Sequence, residues 1–381
     1  MVTDKAAIAQ LLSRGVEEAI VREHLEAALM SGKQLRVKFG IDPTSPDLHL
    51  GHGVPLRKLR QFQDLGHKAV LIIGDYTARI GDPTGRSEER KPLTSEQVQE
   101  HMREYLAQAG TIIDIKEAEI RYNSEWFSRE GLSAVLEAAR AATVQQMLHR
   151  ADFKKRMEED NDISVMELLY PVLQGYDSVR VKADVEIGGT DQKFNLLIGR
   201  RVQRHYAMAE QDIMTLPLLV GLDGALKMSK SKDNYIGLTE SANVMFGKIM
   251  SVPDELIDSY YALCTDTERT TKDPREAKLA LGEIIVDMYH GKGEGKKAAE
   301  EFVRVFSKKE KPEDRPKIKK AGNKTIVESL ILAEIAVSKS DARRLVEQGG
   351  VRVNDEVVKD PKAIVPPDVT VQVGPRRFYD T

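Results

Sequence analysis

Leu35-Arg36-Val37-Lys38-Phe39-Gly40-Ile41, then Asp42-Pro43-Thr44-Ser45-Pro46-Asp47, then His49-Leu50-Gly51-His52, is the stretch on which the fold turns. The first seven residues alternate as a strand does, the Pro/Ser/Asp cluster is a turn, and helical spacing holds from about His52 to Leu65. Gly66 follows, and Ala69-Val70-Leu71-Ile72-Ile73 runs apolar as far as Gly74-Asp75. Strand, helix and strand in so short a span predict a βαβ unit, and continuously apolar strands suit a parallel sheet covered on both faces.

In such a sheet ligands bind where the strands end and the helices begin, which is where His49-Leu50-Gly51-His52 falls. A helix N-terminus offers free N–H groups and a positive dipole end, so a polyphosphate suits it. Gly51 allows close approach. Two imidazoles add neutral or cationic donors. Taken alone, the tetrapeptide fits equally a metal pair at i, i+3 or a helix cap with an exposed second histidine; no third ligand of the right type is evident.

Outward from this unit, residues 5–31 read as helices ended by Gly32, and helical patterns fill about 95–109 and 130–160. A further helix is expected to start near Tyr170-Pro171. Asp184 to Gly189 reads as a strand reaching a glycine turn and a helix from Gln192 to Tyr206, and 240–306 is mostly helical. Lys308 to Lys320, polar and Pro-containing, is the expected linker. Beyond it a helical stretch from Thr325 to Leu345 and short strands at Val351–Val353 and Val369–Val373 predict a small α+β tail.

The 381 residues, 41% of them hydrophobic, can bury more than one core, and 57 basic against 60 acidic side chains exclude a protein that coats nucleic acid over its whole surface. Residues 301–320 hold eight basic and four acidic side chains, so any attraction for phosphates is local. No run approaches the roughly 18 apolar residues of a membrane span, and the first residues lack a signal-peptide order; no membrane partner and a cytoplasmic location are expected. Cys264, the one cysteine, can form neither an internal disulfide nor a thiolate zinc cage and is expected to be buried.

The second chemical signal is Leu226-Lys227-Met228-Ser229-Lys230-Ser231-Lys232. Two lysines three apart on small hydroxyl residues can meet a pyrophosphate as flexible point charges, although alone the stretch reads as a solvated loop. Together, H-x-G-H after the first strand and K-M-S-K-S much later resemble the double signature of class I aminoacyl-tRNA synthetases. The chain resembles the bacterial tyrosyl-tRNA synthetases over nearly its full length. Lys38 to Thr44, Gly81-Asp82-Pro83-Thr84-Gly85, Tyr170-Pro171-Val172-Leu173-Gln174-Gly175-Tyr176-Asp177 and Gly188-Gly189-Thr190-Asp191-Gln192 carry the likeness. The tail from 325 to 381, with Ser338 to Val346 and Val351-Arg352-Val353-Asn354, resembles a small RNA-binding module named after a ribosomal protein.

The resemblance implies an α/β fold: a Rossmann-like catalytic domain over 1–225 with a helical dimerisation insertion near 115–170, and the loop plus a helical anticodon-side domain over 226–307. A basic linker over 308–320 and the module over 321–381 follow. It implies tyrosine activation by ATP with Mg2+, then transfer of tyrosyl to tRNA(Tyr) by a homodimer. His49, His52, Lys227 and Lys230 would be catalytic. Asp42, Thr44, Gly51, Asp191, Met228, Ser229 and Ser231 would join them around ATP. Asp82, Tyr170, Gln174, Asp177 and Gln192 would bind tyrosine, and Lys339, Arg343 and Arg344 would meet tRNA. No protein-held metal is expected.

Residue logic adds that Tyr170, Gln174 and Asp177, at i, i+4 and i+7, share one helix face. Lys38 stands where better-studied relatives carry a tyrosine as second phenol partner, which leaves that contact unassigned. A synthetase for tryptophan, a non-catalytic RNA-binding relative and a small-molecule nucleotidyltransferase are the alternative readings.

Overall fold

The computed structural model describes residues 1–84, 94–307, 315–374 and 377–381, and the chain divides into two compact units, Met1–Gly295 and Lys296–Thr381. Gly85 and residues 308–314 of the expected linker lie outside the described residues.

The first unit begins with α1 (Lys5–Leu11), β1 (Glu18–Ile20), α2 (Arg22–Met30), β2 (Arg36–Ile41), α3 (Leu50–Asp64) and β3 (Lys68–Ile73). It continues with α4 (Ser95–Ala109), β4 (Glu119–Tyr122), α5 (Ser124–Ala139), α6 (Val144–Leu148), α7 (Ala151–Glu158), α8 (Val165–Val181), β5 (Val185–Gly189), α9 (Lys193–His205) and β6 (Asp212–Leu216). Helices α10 (Ala242–Met250), α11 (Ile257–Cys264) and α12 (Pro274–His290) follow. Among the described residues the strands form a six-stranded sheet ordered β1-β6-β5-β2-β3-β4, parallel except for β1, which runs antiparallel to β6. From β2 the chain moves to β3 on one side and later returns to β5 on the other. The carboxyl end of β2 is therefore a switch point that leaves a crevice.

Two sequence expectations are corrected. Residues 5–31 are not helical throughout: Gly15 takes φ +62° and breaks the pattern, and Glu18–Ile20 pairs with Ile213–Thr215 as an edge strand with no local periodicity of its own. The helix expected from Tyr170-Pro171 starts at Val165, because Ser164 and Glu167 form a capping box ahead of it and Pro171 sits inside. Glu167 is held there by buried Arg156 of α7 at 2.6 and 3.0 Å. Cys264 is buried, and burial pushes its thiol up to about 12.

The second unit holds most of α13 (Glu294–Phe302), then β7 (Lys324–Thr325), α14 (Ile326–Leu332), α15 (Lys339–Glu347), β8 (Val351–Val353), β9 (Glu356–Val357), β10 (Ile364–Val365), β11 (Thr370–Val373) and β12 (Arg377–Asp380). Its helices pack Ile326, Leu330, Ala342 and Val346 against Val351, Val371 and Tyr379 in a core of its own. No helix among the described residues is long and apolar enough to cross a membrane.

Candidate active site

His49 is the N-cap residue of α3, with extended backbone, and its N–H donates to Nδ1 of His52 at 3.3 Å. The two rings lie with centroids 3.9 Å apart. Burial, then His52 and the approach of Lys230 and Lys227, pulls His49 down to about 2; burial and the same lysines pull His52 to about 4. Both imidazoles are thus neutral near pH 7, which removes the cationic option left open by the sequence. An Nδ1 that accepts forces the His52 proton onto Nε2, while buried Nδ1 of His49 has no hydrogen-bond partner among the described residues. Among the described residues no group of three His, Cys, Asp or Glu could hold a metal ion. A Cβ on Gly51 would sit 3.0 Å from the His49 ring and 3.6 Å from Cβ of Met228, so the glycine is what lets the basic loop close over the helix start.

That loop is fastened at both ends. Met228 N–H donates to Leu219 O at 2.8 Å, and Ser229 N–H to Oδ1 of Asn234 at 2.7 Å. The following segment bridges to the helix start, Leu50 N–H to Ile236 O and Leu238 N–H to Leu48 O, both at 3.0 Å. Lys227 Nζ pairs with Asp191 at 2.7 Å and Lys230 Nζ with Asp47 at 3.0 Å. These are half-exposed pairs, easily exchanged for phosphate oxygens.

Loop and helix start face one another across a cleft of about 890 Å³. It is lined by Asp42, Thr44, His49, Gly51, His52, Asp191 and residues Lys227 to Ser231, and also by Asp82, Tyr170, Gln174, Asp177 and Gln192. All sixteen residues expected to bind nucleotide or amino acid therefore share one cavity at the carboxyl ends of β2 and β5. Lys339, Arg343 and Arg344 lie elsewhere, exposed on α15.

At the inner end, Tyr170 donates to Asp42 Oδ2 at 2.9 Å, and Thr77 Oγ1 to Asp42 Oδ1 at 2.8 Å. Burial, and then the Asp42 and Asp82 carboxylates, raise the Tyr170 phenol. Gln192 Nε2 donates to Asp82 Oδ2 at 2.6 Å. Asp177 is buried; Trp126 Nε1 donates to its Oδ1 at 2.9 Å and Asn123 Nδ2 to its Oδ2 at 3.4 Å. Burial pushes its carboxyl up to about 7, against the pull of Lys38 and those two hydrogen bonds.

Several groups behind the cleft escaped sequence reasoning. Lys38 does not face the cleft: it is fully buried, its Nζ 2.9 Å from Glu186 Oε1, and donates to Gln174 O at 2.8 Å and Ser178 Oγ at 2.7 Å. Lys38 and Glu186 are direct neighbours across β2 and β5. A charged residue of opposite sign inside each of two strands expected from the sequence, 35–41 and 184–189, was the available signal. Asn123, Trp126, Arg150 and Asn195 carried none, being joined only through the tertiary fold.

Residues 30–307 match the family described as tRNA synthetases class I (W and Y). The chain belongs to that family. Residues 330–371 match the S4 domain. The tyrosine–tRNA ligase of Thermotoga maritima is 48% identical over 384 residues, covering 97% of this chain and 96% of that protein. The enzyme of the same name from Aquifex aeolicus is 46% identical over 380 residues, at 97% of each. A C-terminally truncated mitochondrial tyrosyl-tRNA synthetase from Aspergillus nidulans shares the fold, with a TM-score of 0.68 at 24% identity over 80% of this chain and 95% of that one.

Proposed function

We propose that the protein is a tyrosine–tRNA ligase that joins tyrosine to the α-phosphate of ATP, releases pyrophosphate, and passes the tyrosyl group from the adenylate to the 3′-terminal adenosine of tRNA(Tyr), with AMP as the leaving group. The observation that carries this reading is the meeting of the α3 start and the 227–231 loop over a cleft whose inner end presents Asp177. Tyrosine arrives as a carboxylate. One of its oxygens bonds to the α-phosphorus as the bond to the pyrophosphate oxygen breaks, so no protein nucleophile or base is needed. Orientation and charge stabilisation are what the site must supply. His49 and His52, neutral, would donate N–H to phosphate oxygens as the phosphorus becomes five-coordinate. Lys227 and Lys230 would leave Asp191 and Asp47 for the departing pyrophosphate. Magnesium enters on the nucleotide's own phosphates, as part of the substrate.

Asp177 would accept a hydrogen bond from the phenol O–H beside those from Trp126 and Asn123; phenylalanine brings no donor and would leave that share of the buried carboxylate unmet, which disfavours it. Tyr170, Gln174 and Asp82 would hold the ammonium group, with Asp42, Thr44, Gly51, Asp191, Gln192 and Met228 to Ser231 around ribose and phosphates. We assign 1–225 to catalysis, 226–307 to the loop and anticodon side, and 321–381 to RNA, with Lys339, Arg343 and Arg344 meeting tRNA phosphates. The protein would work as a cytoplasmic homodimer joined through the 115–170 insertion. Leu132, Leu136 and Val165, 71%, 60% and 71% exposed, support an apolar partner face there. ATP–pyrophosphate exchange run separately with each amino acid tests the reading: tyrosine alone should support it. Removal of 321–381 should spare exchange and abolish tRNA charging.

A further inference from the structure

Behind the amino-acid end of the cleft lies a buried amide whose partners are all polar. Asn195, on the first turn of α9, is 1% exposed. Its Nδ2 donates to Gln192 Oε1 at 2.9 Å and to Gln174 Oε1 at 3.1 Å, and its Oδ1 accepts from Arg150 at 3.2 Å. Arg150, 5% exposed, precedes α7; it also donates to Thr84 Oγ1 at 3.1 Å and pairs with Asp152 at 2.6 Å. Its guanidinium lies over the rings of Phe153 and Phe194 at 4.7 and 5.5 Å, which fixes the plane of the fork.

Donor and acceptor chemistry makes this chain directional. A guanidinium only donates, so Asn195 must turn its oxygen to Arg150 and its NH2 to the two glutamines. Each glutamine must then turn its own oxygen to Asn195. Their NH2 groups are thereby aimed away from Asn195, Gln192 Nε2 at Asp82 Oδ2 in the cleft, 2.6 Å, and Gln174 Nε2 at buried Glu186 Oε1, 3.1 Å. Asp82 in turn accepts from Thr84 N–H at 3.0 Å, so the Gln192 arm returns to the loop that Arg150 holds through Thr84, while the Gln174 arm ends on Glu186. One arginine sets the orientation of both amides.

We propose that Asn195, oriented by Arg150, is a positioning residue for tyrosine binding: it fixes which atom each of Gln174 and Gln192 presents, and so the polarity of the pocket that receives the ammonium end. The proposal rests on the reading of the cleft as a tyrosine site. Asn195→Asp keeps the size of the side chain and gives Arg150 a charged partner, yet offers the glutamines only oxygens. Both amides must then flip, setting Gln192 Oε1 against Asp82 and Gln174 Oε1 against Glu186. A purely structural role would leave this near-isosteric variant close to wild type.

The experiment is ATP–pyrophosphate exchange by the full chain, with tyrosine and ATP varied in turn. Asn195→Asp should raise KM for tyrosine by about tenfold or more, the loss expected for one hydrogen bond to a charged group, with KM for ATP unchanged. A tyrosine KM within about twofold of wild type would overturn the proposal. Should this variant fail to fold, Arg150→Lys, still a pure donor, and Arg150→Gln, which can present an oxygen, decide instead. The lysine variant should hold tyrosine KM better than the glutamine one, and equal values would overturn it. Wild-type exchange supported by another amino acid and not by tyrosine would fail the underlying reading alone, and the same variants measured with that amino acid still decide the positioning role.

Discussion

Lys38→Met tests the buried charge pair behind the cleft. Lys38 and Glu186 are both wholly buried and 2.9 Å apart, and Lys38 also donates to Gln174 O and Ser178 Oγ. Methionine matches the stem but supplies none of the three donors. Glu186 keeps Gln174 Nε2 at 3.1 Å, Ser178 Oγ at 3.1 Å and the amide of Gln211, none of them charged. Breaking a buried pair from one side costs about 3–5 kcal/mol, most of it the stranded charge. The single tryptophan, Trp126, is fully buried in the same unit, so its fluorescence follows the unfolding of that unit in urea. With a urea slope of about 3 kcal/mol/M, the midpoint should fall by about 1–1.7 M at unchanged slope. Lys38→Met combined with Glu186→Gln should recover part of the loss, with a coupling of about 1.5 kcal/mol or more. A shift in the single variant below about 0.3 M, or strictly additive losses, would show that the pair contributes little and that the reasoning is wrong.

Three further outcomes are expected. Lys230→Ala should slow single-turnover tyrosyl-adenylate formation by about 100-fold, the scale of one lost charge-stabilising donor, while the tyrosine dissociation constant stays put; an unchanged rate removes the loop from the chemistry. His49 and His52 are held at about 2 and about 4 in the fold, so unfolding takes up protons below the ordinary imidazole value of about 6.5. Stability from this source is complete above that pH and is lost as pH falls towards 4, by at most about 2.7 kcal/mol per pH unit for two sites. His49→Asn with His52→Asn should flatten the curve of urea midpoint against pH in that window, and parallel curves would contradict the assignment. Leu132→Glu with Leu136→Glu should halve the mass seen by sedimentation equilibrium, and a variant of unchanged mass would place the partner face elsewhere.

The β2-α3-β3 unit was legible because its signals are local: alternation, a turn cluster, helical spacing and a glycine stop. Strand β1 was not, since three residues pairing with Ile213 to Thr215 make no pattern of their own. Nor was the start of α8, where Pro171 outweighed the less conspicuous Ser164 and Glu167. The cleft was legible for a related reason: its chemistry is concentrated in short segments whose residue types are unusual together. What the alternation of β2 did not say is which layer each face meets. The place of Lys38 was therefore left open, and the fold turns it away from the cleft towards Ser178 of α8 and Glu186 of β5. Arg150 and Asn195 are ordinary residues in helical stretches, and only the fold brings them together.

The two backbone bonds that strap Ile236 and Leu238 to Leu50 and Leu48 also bear on biosynthesis. The cleft has one wall made early in translation and another made far later, and β1 likewise waits for a partner 197 residues downstream. Closing spans of that length is slow more than it is costly. A ribosome that has extruded only the first 200 residues therefore displays a sheet with an open flank and one wall of the cleft, and the cleft closes only once the strap has emerged.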